Sequence, residues 1–124
     1  MCKGIVVGMM KEELLNKVEQ YNLMDVSFEF FWKNFKYYKE EDREEFETHF
    51  PEYKKERLQI PLNSISYRMT SWPKWDSDFD YIIISIDIEY DNKNIGYFDA
   101  YFSLDGEYVT DYFVTYPCDQ RQYW

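Results

Sequence analysis

A chain of 124 residues is long enough to bury one core without disulfide staples, and 1–124 reads as a single domain. Hydrophobic residues make up 45% of it, which excludes a disordered chain; 13 Tyr, 10 Phe and 4 Trp are more than one core can hide, so some must serve at the surface. A net charge of −10, from 24 acidic and 14 basic residues, argues against nucleic-acid binding and disfavours anionic membranes, because phosphate contacts need a basic surface; a basic protein would be attracted.

The two cysteines, Cys2 and Cys118, are too few for a disulfide scaffold and read as reduced thiols of a cytoplasmic protein, with a bridge between the chain ends geometrically open. Near the start, Ile5 to Val7 with Met9 and Met10 is too short a run for a signal-peptide core, and either methionine could serve as the start of translation. No stretch approaches the ~18 apolar residues that span a bilayer.

The first helix is expected over Lys11–Tyr21, where Leu14, Leu15, Val18 and Tyr21 recur at helical spacing and Glu12 and Glu13 suit the first turn. A second is expected to start near Ser27 as N-cap, with Phe28, Phe31, Trp32, Phe35 and Tyr38 as a core-facing aromatic stripe. From Glu40 to Glu47 only Arg43 and Phe46 interrupt carboxylates. Phe46 and Phe50 are four apart, so this segment reads as a third helix with a solvated acidic face, ended by Pro51. Within that face Glu40, Glu41, Asp42 and Glu44 form a candidate docking strip for a basic partner.

Leu58 to Met69 reads as an edge or broken strand. The apolar parity slips near Asn63-Ser64, which predicts a bulge or turn, and Pro61 suits an edge. Ser71 to Asp80 is expected to be a loop. From Tyr81 the isoleucines at 82, 84, 86 and 88 alternate with Ile83, Ser85, Asp87 and Glu89, a period-two strand. Asp91 to Asn94 predicts a turn, Ile95–Leu104 a strand, Asp105-Gly106 a two-residue type I′ hairpin turn, and Glu107–Tyr116 a last strand. The fold class is therefore α+β, with N-terminal helices packed on one face of a C-terminal antiparallel β-meander.

The hairpin turn sets Leu104 opposite Glu107, Phe102 opposite Val109 and Phe98 opposite Phe113. Matching apolar faces sets Ile88 opposite Phe98. One face then carries the four even-numbered isoleucines, Phe98, Ala100, Phe102, Leu104, Val109 and Phe113. The other carries Asp87, Glu89, Tyr97, Asp99, Tyr101 and Tyr112, the candidate protein-binding residues. In this register Asp87 lies directly opposite Asp99, a destabilising arrangement that a proton, a cation or a partner would relieve.

Asp76, Asp78, Asp80 and Asp87 imitate part of a calcium loop, but Tyr81 stands where that loop requires glycine, so no metal is assigned. His49, the sole histidine, assembles no triad or zinc cluster and reads as a surface or helix-end residue. The four glycines are dispersed, so no phosphate loop exists. The chain is given no cofactor and no catalytic residue. Its expected function is that of a small acidic inhibitor that binds a basic protein, such as an immunity protein neutralising a toxin or nuclease, or a phage-type inhibitor mimicking nucleic-acid charge. One alternative is a cone-shaped enzyme or small-molecule binder whose Asp87 and Asp99 act as an acid/base pair. Another is a structural homodimer.

Overall fold

Helices form the N-terminal side and an antiparallel sheet the C-terminal side of the chain. The computed structural model describes residues 3–68 and 80–117, with side chains from residue 11 onward. The order is α1 (Lys3–Gln20), α2 (Leu23–Glu41), α3 (Arg43–His49), a 3-10 turn (Lys55–Arg57), β1 (Leu58–Gln59), β2 (Leu62–Arg68), β3 (Tyr81–Tyr90), β4 (Lys93–Phe102) and β5 (Tyr108–Thr115). β3, β4 and β5 form a meander, and β1 and β2 both pair with the outer side of β3. The expected α+β class and meander are found. The predicted loop at 71–80, both cysteines, Asp76 and Asp78 fall outside the described residues, except for Asp80.

The helices depart from expectation at their starts. α1 begins at Lys3 rather than Lys11. Ser27 is not an N-cap: α2 starts at Leu23 after Asn22, which holds a left-handed φ of 54°. Ser27 is fully buried in the second turn of α2, and its Oγ donates to the Leu23 carbonyl at 2.7 Å. That bond satisfies the hydroxyl inside the helix, removing the reason it would otherwise favour a cap. The acidic run from Glu40 is also divided, because Asp42 leaves helical φ/ψ between α2 and α3.

The core lies between the helices and one sheet face. Phe31, Phe35, Phe46 and Phe50 from the helices meet Ile82, Ile84, Ile86, Ile88, Phe98, Ala100 and Phe102 from the sheet. Each fully buried large apolar side chain here contributes roughly 1.5–3 kcal/mol. Phe31 stands at the centre, with ring contacts to Phe35, Phe98 and Phe113 at 5.6–5.8 Å. Trp32, at the rim of the predicted stripe, is 36% exposed. Lys17 on α1 donates to the Leu104 carbonyl at 3.2 Å, which fastens α1 to the β4–β5 turn.

The sheet keeps the predicted faces apart from Val109, while the β3–β4 partners and those beside the β4–β5 turn differ from prediction. The β3–β4 turn uses only Asp91 and Asn92, with φ of 53° and 64°, the left-handed pair that Asp and Asn tolerate best. A bulge then absorbs Ile95, and the register becomes Ile82↔Phe102, Ile84↔Ala100, Ile86↔Phe98 and Ile88↔Gly96. The predicted pairing of Ile88 with Phe98 is thus displaced by two residues, which preserves parity and therefore the face.

At the β4–β5 turn the predicted two-residue Asp105-Gly106 loop is replaced by a three-residue one. Gly106 N donates to the Ser103 carbonyl, Ser103 N donates to the Glu107 carbonyl, and Gly106 has φ 84°. Ser103, not Leu104, lies opposite Glu107, and Phe102 pairs with Tyr108 instead of Val109. Val109 is squeezed out by a bulge and is 45% exposed, so it leaves the core face to which it was assigned. The bulge restores Tyr101↔Thr110, and Phe98↔Phe113 holds as predicted. The predicted slip near Asn63 also appears, as a register shift between Leu62 and Ser64.

Candidate functional site

Directly paired residues point to the same side of a sheet, so the register defines the face turned away from the helices. β2 places Ser64, Ser66 and Arg68 there; β3 places Tyr81, Ile83, Ser85, Asp87 and Glu89. β4 adds Tyr97, Asp99 and Tyr101, and β5 adds Thr110, Tyr112 and Val114. All six sheet residues singled out from the sequence therefore share this face. Among the described residues, the helices pack on the opposite one.

The tyrosines form a band across the strands. Tyr81 meets Tyr101 edge-on at 5.6 Å, Tyr101 meets Tyr112 at 5.5 Å, and Tyr97 meets Tyr116 at 6.1 Å. Ring-on-ring packing holds these side chains in place before any partner arrives, which lowers the entropy lost on binding. Tyr112 is the most open, at 53% exposure, while Tyr97 and Tyr101 are half-buried.

The carboxylates are interleaved with this band, but Asp87 does not face Asp99. Asp87 is paired with Tyr97, and Asp99 with Ser85 on β3 and Tyr112 on β5. The two-residue shift in register moves the pair from direct opposition to a diagonal, where spacing is about 7–8 Å and repulsion is weaker. The direct opposition of Asp87 and Asp99 is therefore not formed. Asn63 donates to both carboxylate oxygens of Asp87, at 3.3 and 3.1 Å. The face retains its negative field: burial, then Tyr97, Asp87 and Asp99, push the Tyr116 phenol above its ordinary pKa. Arg68 lies far along the strand, opposite Tyr81, rather than beside either aspartate.

The second candidate patch is split by the helix break. Glu40 and Glu41 close α2, Asp42 forms the junction, and Glu44 opens α3. Glu41, Asp42, Arg43, Glu44 and Glu45 line an open depression of about 500 Å³. All of these residues are exposed, so the strip offers charge without a shaped apolar anchor.

His49 was expected at a surface or helix end. It does end α3, but it is only 7% exposed. Its Nε2–H donates to the Tyr116 carbonyl at 2.9 Å; Nδ1 lies 3.1 Å from the Glu45 carbonyl and 3.3 Å from the Tyr38 hydroxyl. The ring thus pins the end of β5 to α3. The signal that could have found it is its spacing: His49 follows Phe46 by three and precedes Phe50 by one, on the buried face of that helix. Burial, then the nearby Glu45 charge, raises the pKa of Tyr38.

Asp80 is also buried, and its Oδ2 accepts from the Tyr67 hydroxyl at 3.2 Å. Among the described residues no three His, Cys, Asp or Glu side chains converge as a metal site. None of the described helices is long and apolar enough to cross a membrane. Comparison with protein-family models, with curated proteins and with solved structures finds no match.

Proposed function

We propose that this chain binds a basic protein through the outer face of β3, β4 and β5, and acts as an inhibitor of that protein, as an immunity protein neutralises a toxin or nuclease. One observation carries the reading: a sheet face on which Asp87, Glu89 and Asp99 alternate with ring-packed Tyr97, Tyr101 and Tyr112, opposite the helical layer. Pre-packed tyrosines supply contact area at low entropic cost, and the net charge of −10 steers a cationic partner into encounter. A cytoplasmic location fits such a role. The depression at Glu41–Glu45 is a secondary contact in this reading.

The test searches the genes that flank this one for a basic toxin or nuclease, and follows the binding of that purified protein by surface kinetics and its activity directly. Inhibition is expected, with an association rate that falls steeply as salt is added. Joint substitution Asp87→Lys with Glu89→Lys should abolish capture and leave the thermal melt close to the parent. Capture unchanged by that double substitution removes the site from this face and transfers it to the Glu40–Glu44 strip.

A further inference from the structure

The two edges of the sheet are built differently. On the β1/β2 side the edge is interrupted: β1 has two residues, Pro61 follows, and a register shift separates Leu62 from Ser64. Those are the devices that keep an edge from pairing with another chain. The β5 edge lacks them over most of its length. Its bulge is confined to Val109 at the hairpin end, leaving Thr110–Thr115 regular, with no proline and no lysine. Its one charge, Asp111, accepts hydrogen bonds from Asn34 of α2 and from Tyr108. Exposed apolar surface gathers along this strand, from Tyr108, Val109 and Tyr112. Tyr37, 66% exposed, follows Asn34 by three residues on α2, close to one helical turn.

The hydrogen-bonding parity of that edge can be read. Tyr116 N donates to the Ile95 carbonyl at 2.7 Å, so residues 116, 114, 112 and 110 turn their amides toward β4. Asp111, Phe113 and Thr115 consequently turn theirs outward, and among the described residues no strand pairs with them. We infer that a second copy of this chain pairs with β5 through these groups, antiparallel and about a two-fold axis. Asp111 is the one charge on this edge and its carboxylate already accepts from Asn34 and Tyr108, so little along the edge selects a cation, whereas the β-branched and aromatic residues around it are complementary to themselves.

Charge also selects the register. An axis at Asp111 would set two aspartates face to face. An axis at Phe113 instead pairs Phe113 with its symmetry mate, Asp111 with Thr115, and Tyr112 with Val114. It also extends the Phe31, Phe98 and Phe113 ring cluster across the axis.

Sedimentation of the full chain from micromolar to submillimolar concentration should show twice the 15.4 kDa chain mass forming. The dimer should tighten as salt rises, because salt screens the repulsion of two copies at −10. The amides of Asp111, Phe113 and Thr115 should gain hydrogen-exchange protection with concentration. Val114→Lys, and independently Thr115→Pro, should abolish the dimer; the lysine variant keeps the test open if the proline one misfolds. A monomer at every concentration, a dimer weakened by salt, or protection of these amides only when a basic protein is added would overturn the inference. It stands apart from the functional reading: a monomer that still captures the basic protein refutes the dimer alone, and a dimer that captures none refutes that reading alone.

Discussion

Gly96 sits in β4 beside Ile88, on the helix-facing parity. A Cβ built at this position would lie 1.9 Å from the Val114 carbonyl oxygen and 2.9 Å from the Thr115 Cα. Both are backbone atoms, so no side-chain rotation gives relief. Restoring an ordinary contact requires β4 and β5 to separate by more than 1 Å. Overpacking of this kind costs about 1–3 kcal/mol. Losing one or two ladder hydrogen bonds adds about 0.5–1.5 kcal/mol each. Gly96→Ala should therefore destabilise the fold by about 2–4 kcal/mol. With an unfolding entropy near 2.1 cal/mol/K per residue over 124 residues, that is a fall of about 8–15 °C in Tm. Urea denaturation should show a lower midpoint at unchanged slope. The strands that part carry Tyr97 and Val114, so the same variant should also loosen the outer face. A loss below about 0.5 kcal/mol would refute the reasoning, because it would mean that β5 yields without cost and is not held in the described register.

Three further perturbations follow from particular contacts. Asp99→Asn should stabilise the free protein by only a few tenths of a kcal/mol, since Asp87 is its diagonal and not its direct neighbour, and should weaken capture of a basic protein. A gain well above 1 kcal/mol in chemical denaturation would restore direct opposition of the two carboxylates. Tyr90→Phe removes a hydroxyl that donates to the Pro51 and Glu52 carbonyls and accepts from Lys54 N, all within 3.1 Å, from a side chain that is 2% exposed. Its expected cost is about 1–2 kcal/mol in urea denaturation, and no measurable change would show those bonds contribute nothing net. For pH, burial first and then Asp111 for Tyr108, or Glu45 for Tyr38, raise the phenol pKa in the folded state. The folded protein then holds these protons more tightly than the unfolded chain, so their contribution is complete below the unfolded value of about 10 and is lost as pH rises beyond it. Denaturation midpoints should fall above that pH, and Tyr38→Phe should flatten the fall; a midpoint constant through the same range would contradict it.

Whether a residue lies on the core or the outer face was legible in the sequence because a strand has period two. Every even-numbered isoleucine of β3 is buried, and Asp87, Glu89, Tyr97, Asp99, Tyr101 and Tyr112 all turn the other way. Who stands beside whom was legible along most of β4–β5, where Phe98↔Phe113 holds, but not along β3–β4 or beside the turns, because turn geometry decides it there. Asp91-Asn92 and the Ile95 bulge together moved the β3–β4 register by two, an even number that leaves both faces intact. At the other turn Gly106 needed one residue more than a type I′ loop, an odd shift, and one residue, Val109, was displaced to the surface before the bulge corrected it. Helix starts failed for a related reason. A serine ahead of an aromatic stripe is a good cap in isolation, but tertiary packing buried Ser27 and let the Leu23 carbonyl take its hydroxyl. α1 begins at Lys3 even though Gly4 and Gly8 have low helix propensity.

These errors act unequally on function. Direct opposition of Asp87 and Asp99 is a statement about neighbours, so the two-residue shift removes that contact. A docking face is a statement about side, and an even shift cannot alter it. The reading that rested on alternation keeps its tyrosine band, its carboxylates and its place opposite the helices.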